Sequence, residues 1–419
     1  MQKKFSAKYN LPVPAAYTLC IVLLIVCILF SPWQPKKVYA ANLYDINTLI
    51  GKRDSAFIAD HRGKIVFSKN ADKQLVPAST LKLLTSLVAL NYLGRDYRFT
   101  TEFYIDKQSN LKIKGYGDPL LISEIIDEIS DILGKKLADS EISSINDIVL
   151  DDSYFTSPII IPGNSFSPEP YDAPNGALCA NFNTINFERG PDGSYISAEP
   201  QTPLLPFALK KIKDASLNKG RIVLSKEKDE ITLYAGHLFF YFLKNKGINC
   251  NGRVRLGGVH KENDRLIYKH ISKFSLQQII SKLLRYSNNF MANQLLVASG
   301  AKLFGSPGSL EKGVAAAARY AKDVLKIEEI CLVEGSGLSR KNHISAKMLG
   351  RTLEEFEEHR ILMRHMGREF YKTGTLKDIA TRAGYIENNK GELYRFVVMI
   401  NTPGKSTQNI MSKILKSLN

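Results

Sequence analysis

The chain has 419 residues, of which 44% are hydrophobic, 10% are aromatic and 23% are charged. These proportions exclude an intrinsically disordered or fibrous protein, and the length favours two or three structural units, since a single hydrophobic core stops growing near about 250–300 residues. The formal net charge of +16 fits either a solvated lysine-rich surface or attraction to an anionic polymer or membrane surface.

The first 40 residues have the pattern of an export segment. Three lysines within the first eight residues precede an uncharged, mostly apolar run over residues 15–30, and Val38-Tyr39-Ala40 offers the small-residue pattern after which signal peptidases cut. Two alternatives stay open for residues 1–40, a cleaved signal peptide and a retained N-terminal membrane anchor. Both predict an exported protein of the periplasm or cell envelope, with or without an anchor in the inner membrane, and export argues against a nucleic-acid partner.

Strand and helix patterns follow in chain order. Residues 55–70 alternate around an Asp-His-Arg-Gly break, which predicts a two-stranded hairpin. A helix is predicted from Ser79 to about Leu93, with Gly94 as the residue that ends it. Residues 96–270 contain short strand-like runs between Gly and Pro-rich turns, among them RFTTEFYI, NLKIKG, DIVLDD and RIVLSKEKDEITLYAG. They predict an inserted, mostly β unit.

The C-terminal part returns to helices and ends in a second hairpin. Within residues 275–350, SLQQIISKLLRY and NFMANQLLVASGAKLFG have helical periodicity. Residues 381–404 are typical of a hairpin with an Asn-Asn-Lys-Gly turn, and the last fifteen residues predict a closing helix. We therefore expect an α+β fold in which residues 41–95 and 271–419 build an antiparallel sheet flanked by helices, with residues 96–270 inserted between them.

A serine and a lysine stand three positions apart at the head of the first predicted helix. On one helix face, the Ser79 hydroxyl and the Lys82 amine come within hydrogen-bond reach. A serine attacks a carbonyl once a base removes its proton, and a lysine is such a base when burial or a nearby cation lowers its pKa. The same Ser-x-x-Lys spacing occurs five more times in the chain, so the pair alone fits an ordinary helix start equally well.

Two later stretches supply groups that complement this pair. LRYSNNFMANQLL places Ser287 and Asn289 in a break between helices, where they offer a hydroxyl and a carboxamide, although both also suit a helix cap. REFYKTGTLKDIA places Lys372, Thr373 and Gly374 on a predicted edge strand, where an exposed lysine is also a common guard against aggregation. The histidines form no metal-ligand spacing, so no metal is expected.

Taken in order, Ser79-Thr-Leu-Lys, Ser287-Asn-Asn and Lys372-Thr-Gly resemble the three-motif signature of the serine penicillin-recognising enzymes. About 200 residues separate the first motif from the second, a layout that resembles the class C low-molecular-mass penicillin-binding proteins, the D-alanyl-D-alanine carboxypeptidase/endopeptidase family. KGYGDPLL, IVLDDSYF, EGSGLSRKNHIS and LKDIATRAGYI agree with this resemblance. It runs from about residue 44 to the C terminus and implies a penicillin-binding/β-lactamase-like domain with a large, mostly β inserted domain.

The resemblance implies a serine carboxypeptidase or endopeptidase that acts on peptidoglycan stem peptides through an acyl-enzyme, needs no cofactor and is inhibited by β-lactams. It assigns catalysis to Ser79, Lys82, Ser287, Asn289 and Lys372. It assigns substrate binding to Thr373, Gly374 and Thr375. Ser79 would attack the penultimate D-alanine carbonyl, Lys82 would accept its proton, and Ser287 would pass a proton toward the leaving group. The N–H groups of Ser79 and Thr375 would form the oxyanion hole.

Two departures from the family pattern leave room for an alternative function. Glu334 stands where the family usually has aspartate, and the segment from Arg340 to Lys372 is about half the usual length. The shortened segment and the basic composition motivate a second hypothesis, a cell-wall-binding scaffold that retains the fold with little turnover. A β-lactamase or esterase is disfavoured because no glutamate stands in an obvious deacylation motif. Carboxypeptidase and endopeptidase activity both stay open.

Overall fold

The computed structural model describes residues 45–165, 167–227 and 229–418. The signal peptide or anchor predicted for residues 1–40 lies outside the described residues. Within the described ranges, the helices are all too short or too polar to cross a membrane.

The α-helices in this part of the chain, numbered α1 to α9, are Lys82–Leu93, Ser123–Asp139, Pro206–Ala215, Glu230–Asn245, Leu276–Tyr286, Asn289–Phe304, Leu310–Asp323, Ala346–Phe356 and Gln408–Ser417. The strands, numbered β1 to β16, are Asp54–Ala59, Ile65–Lys69, Thr100–Ile105, Leu111–Gly115, Ser144–Ile145, Ile148–Asp151, Thr184–Arg189, Tyr195–Ser197, Lys219–Val223, Asn249–Cys250, Val254–Leu256, Arg265–Ile271, Arg364–Met366, Glu369–Leu376, Ile379–Glu387 and Leu393–Ile400. Residues 45–49 are also helical. A 3₁₀ turn covers Ala78–Leu81, and another covers Glu357–Leu362.

A six-stranded antiparallel sheet joins the two ends of the described chain, in the order β13-β14-β15-β16-β1-β2. Both predicted hairpins are confirmed, since β1 pairs with β2 and β15 pairs with β16. Successive side chains of a strand point to opposite faces. Phe57 accordingly packs into the core that contains α1, whereas Ile58 packs into the core that contains α9. Helices therefore lie against both faces of the sheet, as the expected α+β fold requires.

The helix that follows Ser79 runs through the centre of this core. Every residue from Lys82 to Ala89 is buried, and a helix without a polar face is typical of a protein interior. Gly94 ends the helix with a φ of +91°, which confirms the predicted end. The 3₁₀ turn that precedes α1 contacts β14, so the first turn of the helix lies against the sheet.

The segment between the two halves of this sheet contains more helix than predicted. Most of its predicted strands are present, and β11-β6-β4-β3-β12 form a five-stranded sheet. Three helices, α2, α3 and α4, lie in the same segment, so the expectation of a mostly β unit is incomplete. The run DEITLYAG, predicted as a strand, begins α4. Its buried side chains Ile231, Tyr234 and Leu238 recur at helical spacing, and this period decides the structure over the β-branched and aromatic composition.

The inserted segment has a hydrophobic cluster of its own. Residues between Phe103 and Leu243 build it, mainly from α2, α4 and the five-stranded sheet. The sheet of the first core takes its strands from residues 54–69 and 364–400 instead. The boundaries proposed for the inserted domain, residues 96 and 270, stay a prediction.

Candidate active site

Ser79 and Lys82 lie next to each other at the start of α1. Ser79 belongs to the 3₁₀ turn and is partly buried, whereas Lys82 is the first residue of the α-helix and has no exposed surface. Lys82 Nζ donates a 3.0 Å hydrogen bond to Ser79 Oγ. In a 3₁₀ turn, side chains three residues apart lie on the same side of the turn, so Ser79 and Lys82 face each other.

The Lys82 amine is fully hydrogen-bonded inside the protein. Besides Ser79 Oγ, it donates to Asn289 Oδ1 at 2.8 Å and to the carbonyl oxygen of Ser336 at 2.6 Å. Burial lowers the pKa of Lys82 well below its usual value, and the positive charge of Lys372 lowers it further, while the Glu334 carboxylate opposes the shift. The structure therefore places a buried amine of lowered pKa beside a serine hydroxyl.

The predicted break between two helices holds Ser287 and Asn289 at the same site. Ser287 ends α5 in the left-handed region with a φ of +55°. Asn288 caps α6 by accepting a hydrogen bond from the N–H of Met291. Since Asn288 is the cap, the side chains of Ser287 and Asn289 contact the two lysines instead.

Lys372 lies on β14 at the border of the same site. Its side chain is buried, and Nζ donates to Ser287 Oγ at 2.8 Å and to the Thr373 carbonyl oxygen at 2.6 Å. Burial lowers the pKa of Lys372 to about 7, with a smaller contribution from the positive charge of Arg364. The short strand β13 pairs with residues 369–371 only, so the motif that follows lies at the sheet edge, as predicted.

Gly374 lets the edge strand approach the backbone of the serine. A Cβ atom at this position would lie 2.6 Å from the Ser79 nitrogen and 2.5 Å from Thr381 Oγ1. The Thr381 hydroxyl donates a 2.7 Å hydrogen bond to the Pro77 carbonyl oxygen, which ties β15 to the turn before Ser79. Thr373 is half-buried and Thr375 is exposed on either side of this contact.

A buried carboxylate that the sequence analysis left without a role organises the third side of the site. The Glu334 side chain is 1% exposed and accepts hydrogen bonds from the N–H groups of Ser336 at 2.6 Å and Gly337 at 2.7 Å. It also accepts from Asn342 Nδ2 at 2.6 Å. This loop presents the Ser336 carbonyl to Lys82. The signal in the sequence was a carboxylate directly before Gly-Ser-Gly, whose small residues allow the backbone to fold around it.

The structure thus brings together all eight residues that the sequence analysis selected, on the 3₁₀ turn and the first residue of α1, at the junction of α5 and α6, and on β14. A hydroxyl next to a buried amine of lowered pKa suits nucleophilic attack on a carbonyl. The Lys372 amine and the two threonine hydroxyls on β14 suit a substrate that carries a carboxylate. The arrangement fits acyl transfer to water or to another nucleophile.

The sequence is similar to those of known proteins along most of its length. The sequence profile of the D-Ala-D-Ala carboxypeptidase 3 (S13) family matches residues 40–226 and 218–368. A D-alanyl-D-alanine carboxypeptidase of Actinomadura sp. (strain R39) is 24% identical over 407 residues, which cover 79% of this chain and 74% of the relative.

Solved structures give the same fold. A crystal structure of penicillin-binding protein 4 from Haemophilus influenzae aligns with a TM-score of 0.72 at 20% identity, covering 90% of this chain and 98% of that one. A structure of the same protein complexed with a β-lactam aligns with a TM-score of 0.67 at 20% identity over the same shares of the two chains. At this level of identity the two structures establish the fold alone, an α+β fold like that of penicillin-binding protein 4, with additional sheets.

Proposed function

The chain belongs to the D-Ala-D-Ala carboxypeptidase S13 family, and on that premise we propose that it hydrolyses D-alanyl peptide bonds of peptidoglycan stem peptides through an acyl-enzyme on Ser79. The observation that carries this proposal is the Lys82 amine, which is buried and hydrogen-bonded to both Ser79 Oγ and Asn289 Oδ1. A buried amine of lowered pKa is the base that a serine nucleophile needs.

In the first step, neutral Lys82 takes the proton of the Ser79 hydroxyl while Oγ attacks the carbonyl of the penultimate D-alanine. Positive charge then forms on Lys82. Its acceptors, the Asn289 side chain and the Ser336 carbonyl, lie at 2.8 Å and 2.6 Å and stabilise the ammonium. The N–H groups of Ser79 and Thr375 stabilise the oxyanion, and each such donor typically contributes about 3–4 kcal/mol.

The leaving amine receives its proton through Ser287. Its hydroxyl lies 2.8 Å from Lys372 Nζ, so a proton given to the amine by Ser287 is replaced from Lys372. A pKa of about 7 for Lys372 suits this role, because the group gives and takes a proton near neutral pH. Water then hydrolyses the ester and restores the free Ser79 hydroxyl.

The terminal carboxylate of the substrate binds at the edge of β14. Thr373 and Thr375 offer hydroxyl groups there, and the buried Lys372 cation lies behind them. Gly374 keeps the strand close to the Ser79 backbone. This group of donors favours a peptide with a free C-terminal carboxylate, such as one that ends in D-Ala-D-Ala.

Penicillins acylate Ser79 in this proposal, because a β-lactam presents a reactive amide and a carboxylate in the same relative positions as a peptide that ends in D-Ala-D-Ala. The β-lactam complex of the Haemophilus influenzae protein supports this part. The predicted export segment supports a location in the periplasm or cell envelope, where stem peptides occur. The complete set of hydrogen-bonded groups around Ser79 argues against a scaffold without turnover.

The proposal is tested by release of D-alanine from a stem pentapeptide that ends in D-Ala-D-Ala. Wild-type protein is expected to release D-alanine, and the Ser79→Ala variant is expected to release none above background. Ser109→Ala is a matched control, because Ser109 also belongs to a Ser-x-x-Lys sequence but lies between two strands of the inserted segment. Equal release by wild type and Ser79→Ala would reject the proposed nucleophile, and no release by wild type would reject the activity.

A further inference from the structure

A loop of the inserted segment lies against the first turn of α6, beside the candidate active site. The loop covers residues 170–176 and begins with a 3₁₀ turn over Pro170–Asp172, which contacts α6. Asn289 Nδ2 donates a 3.3 Å hydrogen bond to the Tyr171 carbonyl oxygen of this turn. Oδ1 of the same carboxamide accepts from Lys82 Nζ at 2.8 Å. A single carboxamide therefore connects the inserted segment to the proposed base.

The contact with Tyr171 determines which end of the Asn289 carboxamide faces Lys82. A carboxamide nitrogen only donates hydrogen bonds, and the oxygen only accepts them. Because Nδ2 is bonded to the Tyr171 carbonyl, the oxygen points at the Lys82 amine. If the carboxamide turned by half a rotation, two donors would face each other and Lys82 would lose the acceptor that now lies at 2.8 Å.

The Tyr171 carbonyl is held in place from within the inserted segment. The N–H of Asp172 belongs to the same peptide unit and donates to the Glu169 carbonyl oxygen at 2.9 Å. The Asp172 side chain is buried and accepts hydrogen bonds from the hydroxyl groups of Ser165 and Ser167, both at 2.7 Å. The peptide unit that meets α6 therefore has a defined position in the loop.

Asn175 attaches this loop to α6 next to Asn289. Its Nδ2 donates to the Phe290 carbonyl oxygen at 2.8 Å and to Gln294 Oε1 at 2.9 Å. Gln294 Nε2 donates in return to the Gly176 carbonyl oxygen at 2.6 Å. Asn175 and Gln294 are both buried, so water competes little for these hydrogen bonds. Since Phe290 directly follows Asn289 in the chain, the loop is fixed one residue away from the carboxamide.

We propose that Asn175 is a positioning residue for the reaction at Ser79, through which the inserted segment holds the Asn289 carboxamide toward Lys82. This inference rests on the proposed function, because it requires Lys82 to act as the base. When Ser79 loses its proton, the Asn289 oxygen stabilises the ammonium that forms on Lys82. A carboxamide that is free to turn stabilises this ammonium less, so acylation slows. The pKa of Lys82 also falls, because a hydrogen-bond acceptor favours the protonated amine.

A double-mutant cycle of Asn175→Ala and Asn289→Ala tests the inference. The rate of acylation by a fluorescent penicillin is measured for each variant across a series of pH values. Asn175→Ala is expected to lower the plateau rate by about tenfold or more, as loss of a hydrogen bond to a charged group does, and to move the acidic limb to lower pH. In the Asn289→Ala background, Asn175→Ala is expected to cause no further loss, because the group that it positions is absent.

Two further variants separate positioning from a general loss of stability. Asn110→Ala is the matched control, because Asn110 is another buried asparagine of the inserted segment but is hydrogen-bonded to Asp106 and Asp147. It is expected to lower the melting temperature and to leave the acylation profile unchanged. Gln294→Met keeps the side-chain volume and removes the partner of Asn175. It is expected to reproduce the effect of Asn175→Ala, and it replaces that variant in the cycle if Asn175→Ala does not fold.

Two results would overturn the inference. The first is an acylation rate and pH profile of Asn175→Ala equal to those of wild type or of Asn110→Ala. The second is the same fold-loss from Asn175→Ala in the Asn289→Ala background as in wild type, because Asn175 would then act independently of the carboxamide. In both cases the wild-type protein is still acylated and the proposed function stands. A wild-type protein that is not acylated would reject the proposed function, and the inference with it.

Discussion

The carbonyl oxygen of Ser336 accepts a 2.6 Å hydrogen bond from Lys82 Nζ. The N–H of the same residue donates a 2.6 Å hydrogen bond to the buried Glu334 carboxylate. The Gly337 N–H, which shares a peptide unit with the Ser336 carbonyl, also donates to Glu334, at 2.7 Å. Glu334 thus fixes the peptide unit that holds the proposed base, and it has no hydrogen bond to Ser79. Its negative charge also counters the loss of the proton from Lys82, because it raises the pKa that burial and Lys372 lower. We regard Glu334 as a positioning residue with two separable effects.

We predict that Glu334→Gln lowers both the stability of the protein and the pH at which acylation begins. The amide nitrogen of glutamine faces N–H donors, so buried groups lose their acceptors, typically at a cost of about 1–3 kcal/mol. Without the negative charge the pKa of Lys82 falls further, so the acidic limb of the penicillin acylation rate moves to lower pH. Thermal unfolding and a pH profile of acylation measure the two effects.

Glu328→Gln is the matched control for this variant. Glu328 lies on the surface, where its ion pair with Lys322 is exposed and contributes little. It is expected to change neither the melting temperature nor the pH profile. If the acidic limb of the Glu334→Gln profile lies at the same pH as in wild type, Glu334 has no electrostatic effect on Lys82. This holds whether or not the variant is less stable.

We predict that Gly374→Ala lowers the acylation rate more than tenfold. Its Cβ would lie 2.6 Å from the Ser79 nitrogen, so β14 must move away from the N–H proposed for the oxyanion hole, and loss of one such donor costs about 10²–10³ in rate. Gly258→Ala is the control, because a Cβ there meets only the His260 ring, at 3.9 Å. Stopped-flow acylation by a chromogenic β-lactam measures both, and equal rates for the two variants would contradict the close approach of β14.

We predict that Lys372 makes the stability of the protein depend on pH in a defined window. In the folded protein its pKa is about 7, and in the unfolded chain it is near the ordinary 10.5. Between these values the unfolded state binds more protons, so the free energy of unfolding rises with pH, by up to about 1.4 kcal/mol per pH unit for one proton.

Lys372→Met isolates this contribution, because it keeps a buried side chain of similar length without the amine. The difference in the free energy of unfolding between wild type and Lys372→Met is expected to rise from about pH 7 toward pH 10. Urea unfolding at several pH values measures it. A difference that is constant across this range would mean that the folded protein does not depress the pKa of Lys372.

The sequence was sufficient to predict the parts of the site that depend on short-range spacing. Ser79 and Lys82 lie one turn apart on a helix, and both hairpins of the catalytic sheet have regular alternation and recognisable turns. The order of the three motifs along the chain also indicated that they belong to one site, although they lie far apart in sequence.

The parts that the sequence did not predict depend on long-range packing or on conflicting local signals. The role of Glu334 depends on backbone N–H groups of its own loop and on Asn342, and neither contact has a spacing rule. The first residues of α4 are β-branched and aromatic and therefore predict a strand, although Ile231 and Tyr234 already have helical spacing. The hydrogen bond between Asn175 and Phe290 joins residues 115 positions apart, so it exists only when the inserted segment packs against α6.

The most direct test of the account is the intact mass of the protein after incubation with a penicillin, followed by peptide mapping. We predict that wild-type protein gains the mass of one penicillin on the peptide that contains Ser79, and that Ser79→Ala gains none. Equal labelling of Ser79→Ala, or a label that maps to another serine of a Ser-x-x-Lys sequence such as Ser309, would contradict the assignment of the nucleophile.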